Sequence, residues 1–161
     1  MTTKDIIENI TSRSTYKVRE ASCQIIHLGQ EYEKIKPFIQ YLPLIKFKTI
    51  DLNMGGAFAP NQRFIDFAIR TIEFHKSNKQ CSCALYVEKY RLTNDIIERD
   101  IQYDGFNPNS ESKKGYIKIL ETICGEGRWI DYYLVECSRC KSTYKVEERE
   151  GHFKWWNWII I

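Results

Sequence analysis

Four cysteines fall in two close pairs that lie far apart along the chain, Cys81-Ser82-Cys83 and Cys137-Ser138-Arg139-Cys140. Any fold this sequence adopts has to place them. In a reducing compartment, cysteines at short spacing favour metal binding over disulfides. Four thiolates in two pairs are the donor set of tetrahedral zinc, with Zn–S distances near ~2.3 Å. The second pair sits between two predicted strands, 129–136 and 143–148, where a tight turn can aim both sulfurs at one ion. The first pair has the less usual spacing. In an extended strand, residues two apart lie roughly 6.5–7 Å from each other, too far for two ligands of one ion. Residues 81–83 are therefore expected in a bend or bulge, with 78–80 supplying it. Cys81, Cys83, Cys137 and Cys140 are the candidate ligands of a structural Zn2+, because four thiolates leave no open position for water or substrate. Its binding energy would then be folding energy. Disulfides and unliganded buried thiols are the alternatives. Cys23, on a helix face, and Cys124, at a strand end, are expected in the core.

The texture of the chain changes near Lys79. Before it, apolar residues recur at helical steps. Thr2 or Thr3 can cap a helix bearing Ile6, Ile7 and Ile10, and Ser14 is a candidate cap for a second bearing Val18, Ala21, Ile25 and Leu28. Gly29 stands where a C-terminal cap belongs. Pro37 and Pro43 must start, kink or end the helical stretch around them. Residues 53–60 read as a loop, and Asn61 can cap a helix that lines up Phe64, Phe67, Ala68, Thr71, Ile72 and His75. After Lys79, the segments 83–90, 116–123, 129–136 and 143–148 are rich in Val, Ile and Tyr and read as strands. Gly125-Glu126-Gly127 is a hairpin connection. Residues 104–115 read as a polar loop, 93–101 as helix or strand, and 152–161 as a strand. The expected fold is α+β: a helical subdomain, 1–78, packed on an antiparallel β subdomain, 79–161, with a zinc-ribbon-like site of four cysteines.

Charge narrows the function. The formal net charge is only +3. Residues 1–78 hold 11 basic and 8 acidic side chains, whereas 79–161 hold 13 of each. The metal-bearing half therefore lacks the net basic footprint that phosphate binding requires. A nucleic-acid-binding zinc ribbon becomes the alternative reading and protein binding the leading one. The sequence contains no P-loop, no Gly-x-Ser-x-Gly elbow and no His-Glu-x-x-His helix, so a non-enzymatic role is expected. His27 and His75 fall near predicted helix C-termini, where a cation or a capping donor is favourable. The N-terminal residues lack an apolar signal core, and the apolar stretches fall short of the roughly 20 residues of a membrane span. A cytoplasmic protein without membrane contact is the expectation.

The tail Trp155-Trp156-Asn157-Trp158 concentrates large rings. Trp156 and Trp158 are candidate partner contacts, since tryptophan is favoured at binding hot spots; filling the seam between sheet and helices is the other reading. A final strand apolar on both faces is expected to be central in the sheet, or covered on both sides. The run Cys137-Ser138-Arg139-Cys140, Tyr144-Lys145-Val146, Glu148-Arg149-Glu150, His152 and Trp155-Trp156 resembles small bacterial proteins with a paired-cysteine, zinc-ribbon-like end, some of which look like immunity proteins of toxin systems. In this chain Lys141 stands where such a knuckle usually carries glycine. The resemblance implies a non-enzymatic inhibitor whose partner is a cognate toxin.

Overall fold

The computed structural model describes residues 1–56, 60–77, 80–93, 99–127 and 129–161. Parts of the bend expected at 78–80, of the loop at 53–60 and of the undecided segment 93–101 lie outside the described residues. The chain is α+β. Its contacts form two compact units, Met1–Leu85 with Lys89–Ile101, and Tyr86–Glu88 with Gln102–Ile161.

The first unit is helical. Helix α1, Thr3–Ile10, begins at Thr2 with a reciprocal cap. The Thr2 hydroxyl accepts from the Asp5 N–H, and the Asp5 carboxylate accepts from the Thr2 N–H. That second bond helps hold the Asp5 carboxyl below its ordinary pKa. Helix α2, Thr15–Leu28, follows, with Ser14 at the capping position. A short helix α3, Tyr32–Ile35, runs into a 3-10 turn, Lys36–Tyr41, and then α4, Leu42–Thr49. Pro37 and Pro43 each occupy a first turn, where a missing N–H costs nothing. Helix α5, Gln62–Ser77, buries Phe64, Phe67, Ala68, Thr71, Ile72 and His75, as its periodicity predicts. Strands β1, Lys89–Arg91, and β2, Asp100–Gln102, form a separate two-stranded sheet.

Gly29 does end α2, but in a right-handed conformation with φ −56°. The reason for glycine is therefore closeness rather than a left-handed cap. A Cβ at this position would stand 2.8 Å from the Thr71 methyl of α5. The Gly29 carbonyl accepts a 2.7 Å hydrogen bond from Nε2 of buried His75. This fixes the tautomer of His75 and meets one of the carbonyls that α2 leaves open.

The second unit is built on a four-stranded antiparallel sheet in the order β3 (Ile117–Cys124), β4 (Ile130–Cys137), β5 (Thr143–Glu150), β6 (Lys154–Ile160). Tyr133, Val135 and Cys137 alternate onto the buried face of β4 and meet Val146 and Tyr144 of β5. Across β5, Val146 faces Trp158. The core is aromatic. Trp158 is 2% exposed and stacks on Tyr86 with ring centres 4.1 Å apart. Phe106 meets Tyr86 edge-on, and the indole N–H of Trp158 donates to the Phe106 carbonyl at 2.9 Å. The Tyr86 hydroxyl donates to buried Glu111, which Lys114 pairs from its other side.

Three expectations need correction. Residues 83–90 are not one strand, since Ser82–Tyr86 forms a 3-10 turn. The polar stretch 104–115 contains a helix, α6, Pro108–Lys113. Its signals were Asn107, whose side chain accepts from the N–H groups of Asn109 and Ser110, and Pro108 in the first turn. Strand β6 lies at an edge of the sheet rather than at its centre. Its outer side is partly covered by irregular chain. Gln102 exchanges two side-chain hydrogen bonds with the Trp158 backbone, and the Trp156 N–H donates to the Asp104 carbonyl. That satisfies a sheet edge that would otherwise invite strand pairing. Of the apolar side chains of β6, Trp158 is buried, whereas Trp155, Ile159 and Ile160 are exposed.

Replacing Trp158 by Ala should cost about 3–5 kcal/mol in urea unfolding. The same change at neighbouring Ile160, 62% exposed, should cost less than about 0.5 kcal/mol. Equal losses would contradict an aromatic core centred on Trp158.

Candidate metal centre

The first pair of cysteines is held by a turn. The Ala84 N–H donates to the Cys81 carbonyl at 3.0 Å, which folds 81–84 back on itself. The buried Gln30 amide donates to the Ser82 carbonyl at 3.2 Å. The turn ends on Tyr86, the ring stacked on Trp158. The extended spacing that would have separated Cys81 from Cys83 is therefore avoided, as their sharing an ion requires.

The second pair grows out of the sheet. Cys137 is the last residue of the buried row of β4, so strand periodicity alone turns its sulfur inward. The chain then reverses within three residues. The Lys141 N–H donates to the Cys137 carbonyl at 3.1 Å, and the Cys137 N–H to the Ser142 carbonyl at 2.8 Å. The Ser138 N–H is taken by the Tyr116 carbonyl at 3.0 Å. Lys141 closes the knuckle with φ +66°. This is the left-handed region that favours glycine, which explains why glycine is the usual residue there. Lys141 also pairs with Glu136 at 3.2 Å.

Each turn places the two sulfurs of its own pair close together. Those of Cys81, Cys83, Cys137 and Cys140 lie within 4.8 Å of one another. Four sulfurs bound at ~2.3 Å to one tetrahedral ion would stand about 3.8 Å apart, so the cluster fits such an ion after a contraction of about 1 Å or less. Cys83 and Cys137 are buried, Cys81 is half-buried and Cys140 is exposed. None of the six cysteines is in a disulfide. The Ser142 hydroxyl lies 3.2 Å from Cys140 Sγ, where it can donate to a thiolate. Sequence reasoning missed Ser142, whose one signal was its place just past the Cys-x-x-Cys pair.

Other candidates fall elsewhere. Trp158 is a core residue. Trp156 is half-buried, and its indole N–H points to Glu148 at 3.3 Å. Burial opposes ionisation of Glu148, but hydrogen bonds from Lys154, Tyr133 and Trp156 outweigh it and hold the carboxyl below its ordinary pKa. Cys23 is half-buried, and that burial pushes its thiol up. Cys124 was expected in the core and is exposed, because it closes β3 beside the hairpin tip. His152 is also exposed and is not among the four clustered residues.

No family model, no curated protein and no solved structure matches the chain. Among the described residues, no helix is long and apolar enough to cross a membrane.

The knuckle geometry has a measurable consequence. A left-handed non-glycine residue costs roughly 1–2 kcal/mol, so Lys141→Gly should raise stability by about 0.5–1 kcal/mol, net of the entropy glycine loses on folding. Lys141→Val should lower it by about 1 kcal/mol or more. Denaturant midpoints at fixed zinc concentration check both, and a less stable glycine variant would contradict the strained turn.

Proposed function

We propose that the four cysteines hold one Zn2+ as a structural ion. The chain around it is a non-enzymatic protein-binding module, an immunity protein that inhibits a cognate bacterial toxin by steric occlusion. The observation that carries this reading is the closed four-sulfur cluster. Four thiolates satisfy a tetrahedral ion completely, which supports a role in rigidity over a role in chemistry. Occlusion asks for a rigid surface and for no reactive group. Exposed large apolar side chains also support a binding role: Leu44, Phe47 and Ile50 in the helical unit, Trp129 and Trp155 in the sheet unit. The toxin as partner is supported by the resemblance of the C-terminal run to immunity proteins, and occlusion would draw its specificity from shape and charge complementarity.

The reading predicts that a gene just upstream encodes a toxin, and the test is co-expression with that gene's product. Cells should survive, and the two proteins should co-elute as a complex in which the toxin is inactive. Cell death with no complex would overturn the inhibitor. A chain that instead bound DNA or RNA, with affinity falling steeply as salt rises, would favour the nucleic-acid reading. For the ion, the purified protein should release about one zinc per chain to a strong chelator and melt at a lower temperature afterwards. An unchanged melting temperature would remove the structural role.

A further inference from the structure

The sulfur cluster has a sheltered side and an open side. Cys83 and Cys137 are 3% and 2% exposed. Cys81 is half-buried and Cys140 is exposed. Each close pair therefore joins one sheltered sulfur to one that solvent reaches. Four thiolates leave a tetrahedral ion no open position, but they do not protect the sulfurs themselves. A thiolate is a nucleophile, and its susceptibility to oxidation follows its exposure. Cys140 is the most accessible of the four.

The turn that carries Cys140 has closures of its own. The Lys141 N–H donates to the Cys137 carbonyl, the Cys137 N–H to the Ser142 carbonyl and the Ser138 N–H to the Tyr116 carbonyl. Strands β4 and β5 pair up to Glu136 and Thr143, where the turn begins and ends. These bonds belong to the sheet rather than to an ion, so they keep Cys137 beside Cys140 when a ligand is lost. The two sulfurs already lie within 4.8 Å, and a disulfide closes that gap to ~2.05 Å. A sheltered thiol next to an exposed one is the arrangement of a resolving cysteine. In the pair at 81–83 the accessible member is only half-buried, so an oxidant in solution meets Cys140 first.

We infer that Cys137 and Cys140 form a peroxide-sensitive switch on the structural ion. The Cys140 thiolate attacks one oxygen of hydrogen peroxide. The O–O bond breaks, hydroxide leaves, and Cys140 becomes a sulfenic acid. The Cys137 thiolate then attacks the Cys140 sulfur, the S–O bond breaks, and a second hydroxide leaves. The two sulfurs together give up two electrons, which reduce one peroxide to two hydroxides, and a Cys137–Cys140 disulfide remains. The ion keeps only Cys81 and Cys83 and is released, and its share of the folding energy goes with it. A thiol reductant that cleaves the disulfide, with zinc, resets the site. The inference adds regulation to the structural ion proposed above and rests on that reading.

The test treats the full-length, zinc-loaded protein with hydrogen peroxide beside a chromophoric chelator too weak to strip the untreated protein. Cys124, exposed and outside the cluster, reports in the same sample that oxidant has reached the chain. About one zinc per chain should pass to the chelator. Trypsin cuts after Arg139, so the peptide ending there and the one beginning at Cys140 should be recovered joined by a disulfide. Dithiothreitol with added zinc should restore the melting temperature. Zinc retained while Cys124 is oxidised would overturn the switch. So would zinc release with Cys140 oxidised to sulfinic or sulfonic acid and no link to Cys137, or with the disulfide mapped to Cys81. Metal content measured before peroxide separates the two readings. A protein without zinc at the outset faults the structural ion and the switch with it, whereas one zinc per chain that peroxide leaves in place faults the switch alone.

Discussion

Two thiolates can share one ion only where the backbone between them folds back, because sulfurs on an extended strand stand too far apart. Both cysteine pairs obey this constraint by different means. At 81–83 it is a 3-10 turn closed by the Ala84 N–H on the Cys81 carbonyl. At 137–140 it is the reversal of β4 into β5, closed by Lys141 in a left-handed conformation. The neighbouring anchors are those of ordinary packing. Tyr86 ends the first turn inside the aromatic core of the sheet unit, and Cys137 ends the buried row of β4. Turns and strand periodicity fold back each pair, and the four sulfurs lie within 4.8 Å of one another with no disulfide among them.

The same economy appears in the sheet. Its core is small and filled by rings, with Trp158, Tyr86, Tyr144 and Phe106 packed as one cluster. Tyrosine and tryptophan carry polar tips that need partners when buried, and here the indole of Trp158 and the hydroxyl of Tyr86 both find them. Separate bonds from Gln102 and Asp104 meet backbone groups along the outer edge of β6.

Much of this was legible in the residues. Helical periodicity located α2 and the inward face of α5. A high content of β-branched and aromatic residues located β3 to β6, and the spacing of the cysteines located the sulfur cluster, including the bend that Cys81 and Cys83 require. What escaped was decided by tertiary contact. Val87 and Tyr90 make 83–90 look like a strand, yet the hydrogen bond from Gln30 to the Ser82 carbonyl and the burial of Tyr86 select a turn. For Trp158 the sequence left partner contact and core filling both open, and its burial and stacking on Tyr86 show core. Gly29 reads as a left-handed cap in any sequence, whereas its work is to let the Thr71 methyl approach.

Zinc K-edge X-ray absorption on the purified, metal-replete protein tests the central claim most directly. The predicted result is a single shell of four sulfurs at about 2.3 Å, reduced to three in a Cys81→Ser variant. A shell containing nitrogen or oxygen in the unaltered protein would contradict it, as would a Cys81→Ser spectrum indistinguishable from the wild type.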